Sequence, residues 1–574
     1  MPVHNADIAA IFEEIADLLE IQGANPFRVR AYRNAARTVG DYGRDLAGLI
    51  AKGQPLPKIP GIGDDLAGKI HEIAATGRCS FLERLHRELP AAVTELLKIP
   101  GLGPKRVKTL YEQLKVQTLP ELQAAAQSGR IRELAGFGEK TEQHILAAIG
   151  AQASEARRFK RPVAAQYAEA LAAWLAGVAG VERVEVAGSY RRRRETVGDI
   201  DILVAARSGS PVMQRFIGYD EVRDVLAHGE TRASVMLKCG LQVDLRVVEA
   251  AAFGAALHYF TGSKAHNIAI RKRAQERGLK INEYGVFRGE NRIAGETEDS
   301  VFAAVGLPWI PPELREDQGE IEWAMRAPLP KLVERAELKG DLHCHSRASD
   351  GHASIEAMAL AAKARGLDYL AITDHSQRLK IAHGLDSGQL LRQMAEIDRL
   401  NEKLRGITLL KGVEVDILAD GSLDLPDALL GQLDLVVGAV HSRFDLPPAR
   451  QMKRLLTAMD HPHFTLLAHP ATREIDRRPA LELDWLKLIR HARQRGCFLE
   501  LNAQPERLDL FDIHCRMAKE EGVLVAINSD AHKEADFDCL DYGIGQARRG
   551  WLEAKDVLNS RSLAQLRPLL RRTM

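Results

Sequence analysis

The pattern of apolar and polar positions changes character three times along the chain. Ile8, Ile11, Phe12, Ile15, Leu18 and Leu19 recur at helical spacing, and Asn25-Pro26 interrupts them before a second helix carrying Arg28, Arg30, Tyr32, Arg33 and Arg37. The first 150 residues read as all-helical. After a helix from Ala164 to Leu175 the pattern alternates with period two: Val184 and Val186, then Ile200, Ile202 and Val204 around Asp199 and Asp201, then apolar residues around Asp244. On a strand that period puts Asp199 and Asp201 on one face, about 6.5–7 Å apart at Cα. Gly278 to Gly285 alternates too and predicts a small hairpin. From Lys339 onward short apolar runs (Tyr369 to Ile372, Thr408 to Val415, Leu433 to Val440, Thr465 to Leu467, Cys497 to Leu501, Val523 to Ile527) alternate with helical segments. This rhythm predicts a parallel barrel whose active residues lie at the C-terminal ends of its strands.

Within the helical region Lys58-Ile-Pro-Gly61-Ile-Gly63, Lys98-Ile-Pro-Gly101-Leu-Gly103 and Leu134-Ala-Gly136-Phe-Gly138 form an internal repeat, each copy followed by a helix with Lys or Arg in it. The copies resemble helix-hairpin-helix motifs, in which two glycines make a tight turn whose N–H groups hold a DNA phosphate without reading sequence. Charge supports this only weakly. The whole chain carries +1, divided as +5 over residues 1–315 and −4 over the rest. With 574 residues, three to five domains are expected. Six cysteines form no CxxC pair, which argues against a disulfide framework or zinc ribbon and fits a reducing cytosol. No signal peptide or long apolar span is evident, so a cytoplasmic protein without membrane contact is expected.

The chemistry concentrates between Val186 and Val204. The first β-run ends in Gly188-Ser189, where the missing side chain lets backbone N–H groups approach phosphate oxygens, and Arg191 to Arg194 add positive charge. Asp199 and Asp201, with Asp244 from a neighbouring strand, make a triad suited to divalent ions. These residues resemble the family X (polymerase-beta-like) DNA polymerases over most of residues 1–315. The resemblance implies that Gly188, Ser189 and Arg192 bind the triphosphate and that Asp199, Asp201 and Asp244 hold Mg²⁺ or Mn²⁺. It also implies that Tyr259-Phe260-Thr-Gly262-Ser263 select the sugar of the incoming dNTP and that Asn267 contacts its base or sugar edge. Lys69 stands where relatives carry a Schiff-base lysine that removes a 5′-deoxyribose phosphate. Asp65 departs from the pattern of strong lyases.

At the ends of the later apolar runs stand His343, His345, Asp350, His375, Glu414, His441, His469, Asp530 and His532. Nine imidazoles and carboxylates, with no cysteine among them, suit a cluster of borderline or hard metals. Asp341-Leu-His343-Cys-His345, Thr373-Asp-His375, Gly412-Val-Glu414, Ala468-His469-Pro and Ser529-Asp530-Ala-His532 resemble the PHP (polymerase and histidinol phosphatase) superfamily. That resemblance makes the nine residues ligands of three Mn²⁺ and/or Zn²⁺ ions, with Asp374 orienting a ligand. In this combination it implies 3′–5′ exonuclease and 3′-end processing, with cleavage at abasic sites in some members.

The expected fold is multidomain: a lyase-like helical region (1–90) and a fingers-like helical region (91–155), both with helix-hairpin-helix motifs. An α+β nucleotidyltransferase palm (156–250) and thumb (251–312) follow, then a proline-stiffened acidic linker lying on a surface (313–337). The chain ends in a distorted (βα)7-type PHP barrel (338–574). The expected function is monomeric repair polymerisation on gapped or nicked double-stranded DNA. Two rivals stand beside it: a barrel that acts as a small-molecule phosphatase, and an N-terminal half that is a DNA-end binding scaffold with inactive sites.

Overall fold

The computed structural model describes residues 5–40, 46, 50, 56, 62–99, 102–134, 136–155 and 158–570. They fall into two units, Met1–Arg157 and Arg158–Met574. The first is all-helical. Helix Asn5–Gln22 buries Ile8, Phe12, Ile15, Leu18 and Leu19, the positions that recur at helical spacing. The Asn25 side chain accepts the Phe27 N–H (2.9 Å) and opens helix Pro26–Gly40. Gly63 and Gly103 are the extended N-caps of helices Asp64–Thr76 and Pro104–Leu114, and neither cap offers a side chain to the first turn. Gly136 takes φ +84° two residues before Gly138, whose carbonyl accepts the Glu142 N–H at 3.0 Å as helix Glu139–Glu155 begins. Gly61 and Gly101 lie outside the described residues.

The second unit contains an α+β part and a barrel. A two-residue strand β1 (Phe159–Lys160) pairs with β3 (Thr196–Val197). The main sheet contains β2 (Val181–Val186), β4 (Asp199–Ala206), β5 (Val222–His228), β6 (Arg232–Leu237) and β7 (Gln242–Val248), in the order β2-β4-β7-β6-β5. Period two divides β4 between two layers. Ile200, Ile202 and Val204 pack with Ala164, Ala168, Leu171 and Leu175 of helix Arg161–Ala176, while Leu203 and Ala205 pack with Phe253, Ala256 and Leu257 of helix Phe253–Thr261. Asp199 and Asp201 share the parity of the second set. Beyond helix Lys264–Gln275 the expected hairpin is a three-stranded antiparallel sheet, β8 (Lys280–Asn282), β9 (Gly285–Arg288) and β10 (Asn291–Ala294).

Seven parallel strands follow in sequential order: β11 (Gly340–Cys344), β12 (Tyr369–Ile372), β13 (Thr408–Asp416), β14 (Leu435–Ala439), β15 (Leu466–Leu467), β16 (Phe498–Asn502) and β17 (Val525–Asn528). A bridge between Cys344 and Ala531 brings the last strand back to the first. Strand interiors are buried on both faces, as a sheet covered by helices requires. Leu558, Leu566 and Leu570 join the apolar cluster of Leu342, Tyr369 and Ala371, and the Arg561 carbonyl accepts the Tyr369 hydroxyl (3.0 Å) at the start of β12. Among the described residues no helix is long and apolar enough to cross a membrane.

The acidic stretch after the proline run is not a surface connector. Leu307, Ile310, Leu314, Ile321 and Leu332 share a core with Ala255, Phe302 and the barrel's Trp551. Glu313, Arg315 and Glu320 are buried. Two of the acids have distant partners: Glu313 accepts from Arg548 (2.8 Å) and Glu316 from Arg549 (2.8 Å). At the centre Glu298 accepts two bonds from Arg191 (2.8 and 2.7 Å), one from Arg315 (2.5 Å) and one from the Trp309 ring (3.1 Å). Burial alone would raise the Glu298 carboxyl, but Arg191 and Arg315 outweigh it and hold the group well below the usual range.

Glu298→Ala leaves Arg315 buried without its acid and is expected to destabilise this unit by roughly 3–5 kcal/mol, read from urea unfolding. The depressed pKa makes this contribution present above the unfolded value near 4.5 and lost as pH falls. The gap between wild type and variant should therefore narrow in acid.

Candidate active sites of the sheet and the barrel

Strands β4 and β7 run parallel in a register that sets Asp201 opposite Asp244 and Asp199 opposite Gln242. The three carboxylates of the expected triad therefore meet at one end of the sheet. Asp244 is oriented by the Ser234 hydroxyl and by the Gln242 amide (3.1 Å), two partners the sequence reading did not single out. Burial first, then the charges of Asp199 and Asp244, push the Asp201 carboxyl up to about 7. Burial and Asp244 likewise raise Asp199. Arg158, Arg192 and Arg246 offset only part of this effect, and divalent ions fit the remaining need.

Gly188 and Ser189 begin a short helix, Gly188–Arg191, at the end of β2. Gly188 has φ +62°, and a Cβ there would strike the Asp201 carboxylate, so glycine is required on two grounds. Arg192 donates from Nε to Glu316 (3.1 Å) and from Nη1 to the Thr261 carbonyl (2.5 Å). Tyr259 and Phe260 form an edge-on ring pair with centroids 5.1 Å apart. Gly262 takes φ +69°, and the Ser263 hydroxyl caps the next helix by accepting the His266 N–H (3.2 Å). Asn267 donates to the Tyr259 carbonyl (2.7 Å) while its buried Oδ1 has no partner among the described residues, leaving an acceptor beside this segment.

All nine expected barrel ligands gather at the C-terminal ends of the barrel strands. Glu414 lies at the centre: its carboxylate is within 3.5 Å of nitrogens of His343 (3.4 Å), His345 (3.5 Å), His375 (2.8 Å), His441 (3.2 Å) and His469 (2.9 Å). Asp530 approaches His345 at 3.1 Å, and Asp350 lies 3.4 Å from His375 and 3.5 Å from His532. Within the cage three overlapping sets have ligand atoms within 4.8 Å of one another: His345, Asp350, His375 and His532; His343, His345 and Asp530; His375, Glu414 and His441. Nδ1 of His345 and of His469 are buried with no hydrogen-bond partner among the described residues. A buried cage of imidazole nitrogens and carboxylate oxygens, several unpaired, fits divalent metal and suits little else.

The sequence reading missed the groups that hold these ligands. His343 Nδ1 lies 2.7 Å from Glu500, and His441 Nδ1 lies 2.6 Å from Asp416. Asp416 ends β13, the kind of position that identified the nine, whereas Glu500 is the middle residue of β16. Asp374, expected to orient a ligand, accepts from the Ser346 N–H (2.8 Å), Ser346 Oγ (2.6 Å) and Ser349 Oγ (2.5 Å). Ser349 precedes Asp350 and its Oγ lies 3.2 Å from that carboxylate, so Asp374 fixes the turn that carries Asp350.

In the helical unit, Lys69 is held by Asp65 (2.5 Å) and lies over the Tyr32 and Phe81 rings. Burial lowers its pKa, but Asp65 and Tyr32 raise it further, so the ammonium is favoured over the free amine a Schiff base needs. Asp64 and Asp65 also place negative charge in the first turn after Gly63, whereas Pro104, Lys105 and Arg106 follow Gly103. The second hairpin is therefore the more electropositive of the two.

Family models for the polymerase beta palm match residues 158–235, and those for its thumb match 256–316. A helix-hairpin-helix domain matches 3–79, a SAM-like helix-hairpin-helix tandem 93–151 and a PHP domain 341–504. The chain is similar to a DNA polymerase/3′-5′ exonuclease PolX of Bacillus subtilis (strain 168), 41% identical over 99% of this chain and 100% of the relative. It is also similar to a probable phosphatase of Thermoanaerobacter sp. (30% identical, 38% of this chain, 89% of the relative). A probable phosphatase of Acetivibrio thermocellus is 32% identical over 33% of this chain and 78% of its own length.

Because the folded pKa of Asp201 lies above its unfolded value of 3.8, the folded chain keeps a proton the unfolded chain releases. Stability therefore falls as pH rises from about 4 to about 7, and the loss persists above that. In metal-free protein at pH 8, Asp201→Asn should raise stability by on the order of 1–3 kcal/mol, with no gain below pH 4. Thermal melts in chelator at both pH values check this. A variant less stable than wild type at pH 8 would contradict it.

Proposed function

The chain belongs to the PolX family of DNA polymerase/3′-5′ exonucleases, and on that premise we propose that it fills short gaps in duplex DNA and trims 3′ ends at a second site. The observation that carries this reading is the presence, in one folded unit, of a facing carboxylate triad and a separate cage of imidazoles and carboxylates, eight of which fall in three sets close enough to hold a metal ion, with His469 beside them against Glu414. In the sheet, Asp199, Asp201 and Asp244 hold Mg²⁺ or Mn²⁺, which when bound supplies the positive charge that favours in-line nucleotidyl transfer from a dNTP. Gly188 allows the backbone to approach the triphosphate, Arg192 donates to it, and Tyr259, Phe260 and Asn267 meet the sugar and base. The hairpins at Gly63, Gly103 and Gly138 grip backbone phosphates of gapped or nicked duplex, the Gly103 hairpin most strongly.

In the barrel the nine ligands hold Mn²⁺ and/or Zn²⁺, three ions in all, which when bound activate water and polarise a phosphoester. Glu500 and Asp416 fix the rings of His343 and His441. A second reading, a small-molecule phosphatase, is favoured by the probable phosphatases that match about a third of this chain. Against it stands the charge around the cage. Arg347, Arg378, Lys380 and Arg443 are exposed and follow His345, His375 and His441 by two to five residues. Cations placed beyond the cage meet the phosphates of a polynucleotide, which a small phosphomonoester does not have.

A 5′-labelled primer on one-nucleotide-gapped DNA, with Mg²⁺ or Mn²⁺ and with or without dNTPs, separates the two sites. Asp199→Ala/Asp201→Ala is expected to abolish extension and leave shortening, and His343→Ala/His345→Ala to do the reverse, each loss at least about a thousandfold. Shortening that survives loss of both histidines would refute the nuclease assignment. Release of phosphate from small esters without stepwise loss of nucleotides would favour the phosphatase.

A further inference from the structure

The arginine run beside the Gly188 turn invites the reading of four cations aimed at phosphate. In the folded chain each is already engaged. Arg191 is bound by Glu298, Arg193 lies 3.2 Å from Glu313, and Arg194 lies 4.0 Å from Glu316. Arg192 spends Nε on Glu316 and Nη1 on the Thr261 carbonyl. No acceptor for its Nη2 is found among the described residues, so this nitrogen is the donor left for a phosphate oxygen.

The barrel supplies the group that makes this arrangement asymmetric. Arg549, the last residue of helix Leu540–Arg549, has a side chain 2% exposed. Its Nη1 donates to the Arg192 carbonyl (3.0 Å) and to Glu316 Oε1 (2.8 Å), while Nε and Nη2 donate to Asp512 (3.0 and 2.7 Å). Arg549 thus holds Arg192 twice, directly through its backbone and indirectly through the acid its side chain uses. Glu316 Oε1 is shared between the two guanidinium groups at 3.1 and 2.8 Å. Without Arg549, the nearest strong partner for Glu316 is Arg192. A carboxylate and a guanidinium left to each other prefer a two-pronged pair, which would draw in more of the N–H groups of Arg192.

We propose that Arg549, from the barrel domain, is a positioning residue of the polymerase site: it anchors Glu316 and the Arg192 carbonyl so that Arg192 keeps one N–H edge for the triphosphate of the incoming nucleotide. The proposal rests on the reading of Arg192 as a triphosphate ligand. It makes the barrel part of the scaffold of nucleotide binding as well as the carrier of its own chemistry. It also gives the buried acids after the thumb a purpose, since Glu316 transmits the position of one domain to the other.

Single-nucleotide incorporation on gapped DNA by the full chain tests it. Arg549→Ala should raise the KM for dNTP about tenfold with kcat little changed, as expected when a ground-state contact to substrate is weakened. Exonuclease shortening of single strands by the same variant should match wild type. Arg549→Lys keeps the buried charge but not the planar fork, and should also raise KM. The distinguishing variant is the double Arg549→Ala/Glu316→Gln: a neutral amide does not capture Arg192, so KM should recover part of the way, whereas two merely structural lesions would add. An unchanged KM in Arg549→Ala and Arg549→Lys, or a double variant worse than Arg549→Ala, overturns the proposal. Arg192→Ala serves as the reference. If it leaves KM unchanged, the triphosphate reading itself fails, whereas a raised KM there with normal Arg549 variants sinks this inference alone.

Discussion

A carboxylate buried among five imidazoles is the constraint on which the barrel depends. Glu414 is about 1% exposed, and its two oxygens face His343, His345, His375, His441 and His469. Burial on its own would push that carboxyl toward neutrality, but His375, His343 and His441 outweigh it and keep it ionised. An ion pair of this depth is costly unless every member is fixed. Here parallel strand ends fix the ligands, Glu500 and Asp416 fix two of the rings, and the Ser346–Ser349 turn anchored by Asp374 carries Asp350. The chemistry of the site is a consequence of packing that much charge at one end of seven strands.

The same principle, buried charge answered by distant charge, joins the two catalytic parts of the second unit. Arg191, Arg192 and Arg193 meet Glu298, Glu316 and Glu313, which meet Arg315, Arg549 and Arg548. A second strut runs from Arg473 to Glu195 at 2.5 Å, with Arg473 four residues after His469 and Glu195 four residues before Asp199. With Cα spacings near 3.8 Å, that path keeps the two centres within roughly 45 Å of one another. A primer end passing between them has a bounded distance to travel, set by ion pairs instead of by a slack connector.

Much of this was legible in the sequence, for identifiable reasons. Period two on β4 is a local property, so Asp199 and Asp201 could be placed on one face without knowing their neighbours. A parallel barrel puts the loops that follow its strands at one end, so the nine candidate ligands could be picked out as residues that end or follow apolar runs. What failed to show were relations across long sequence separations. Glu313 and Glu316 read as surface because acids usually are, while their partners Arg548 and Arg549 lie more than 230 residues away. Lys69 could be located by its spacing from Gly63, but the sign of its pKa shift depended on Asp65 and Tyr32 in three dimensions. Asp416 could have been found by applying the strand-end rule to every acid, whereas Glu500 stands mid-strand and its partnership with His343 is a relation across 157 residues.

The central claim is that the barrel ligands form a metal cage independent of the sheet triad. The most direct measurement is the divalent metal retained per chain by wild type and by Glu414→Ala after manganese loading and desalting, with primer extension followed in parallel. The account predicts that Glu414→Ala loses most of the retained metal together with 3′ shortening, while gap filling in Mg²⁺ continues. A variant that keeps its metal and its shortening activity, or one that loses gap filling in the same proportion, would contradict it.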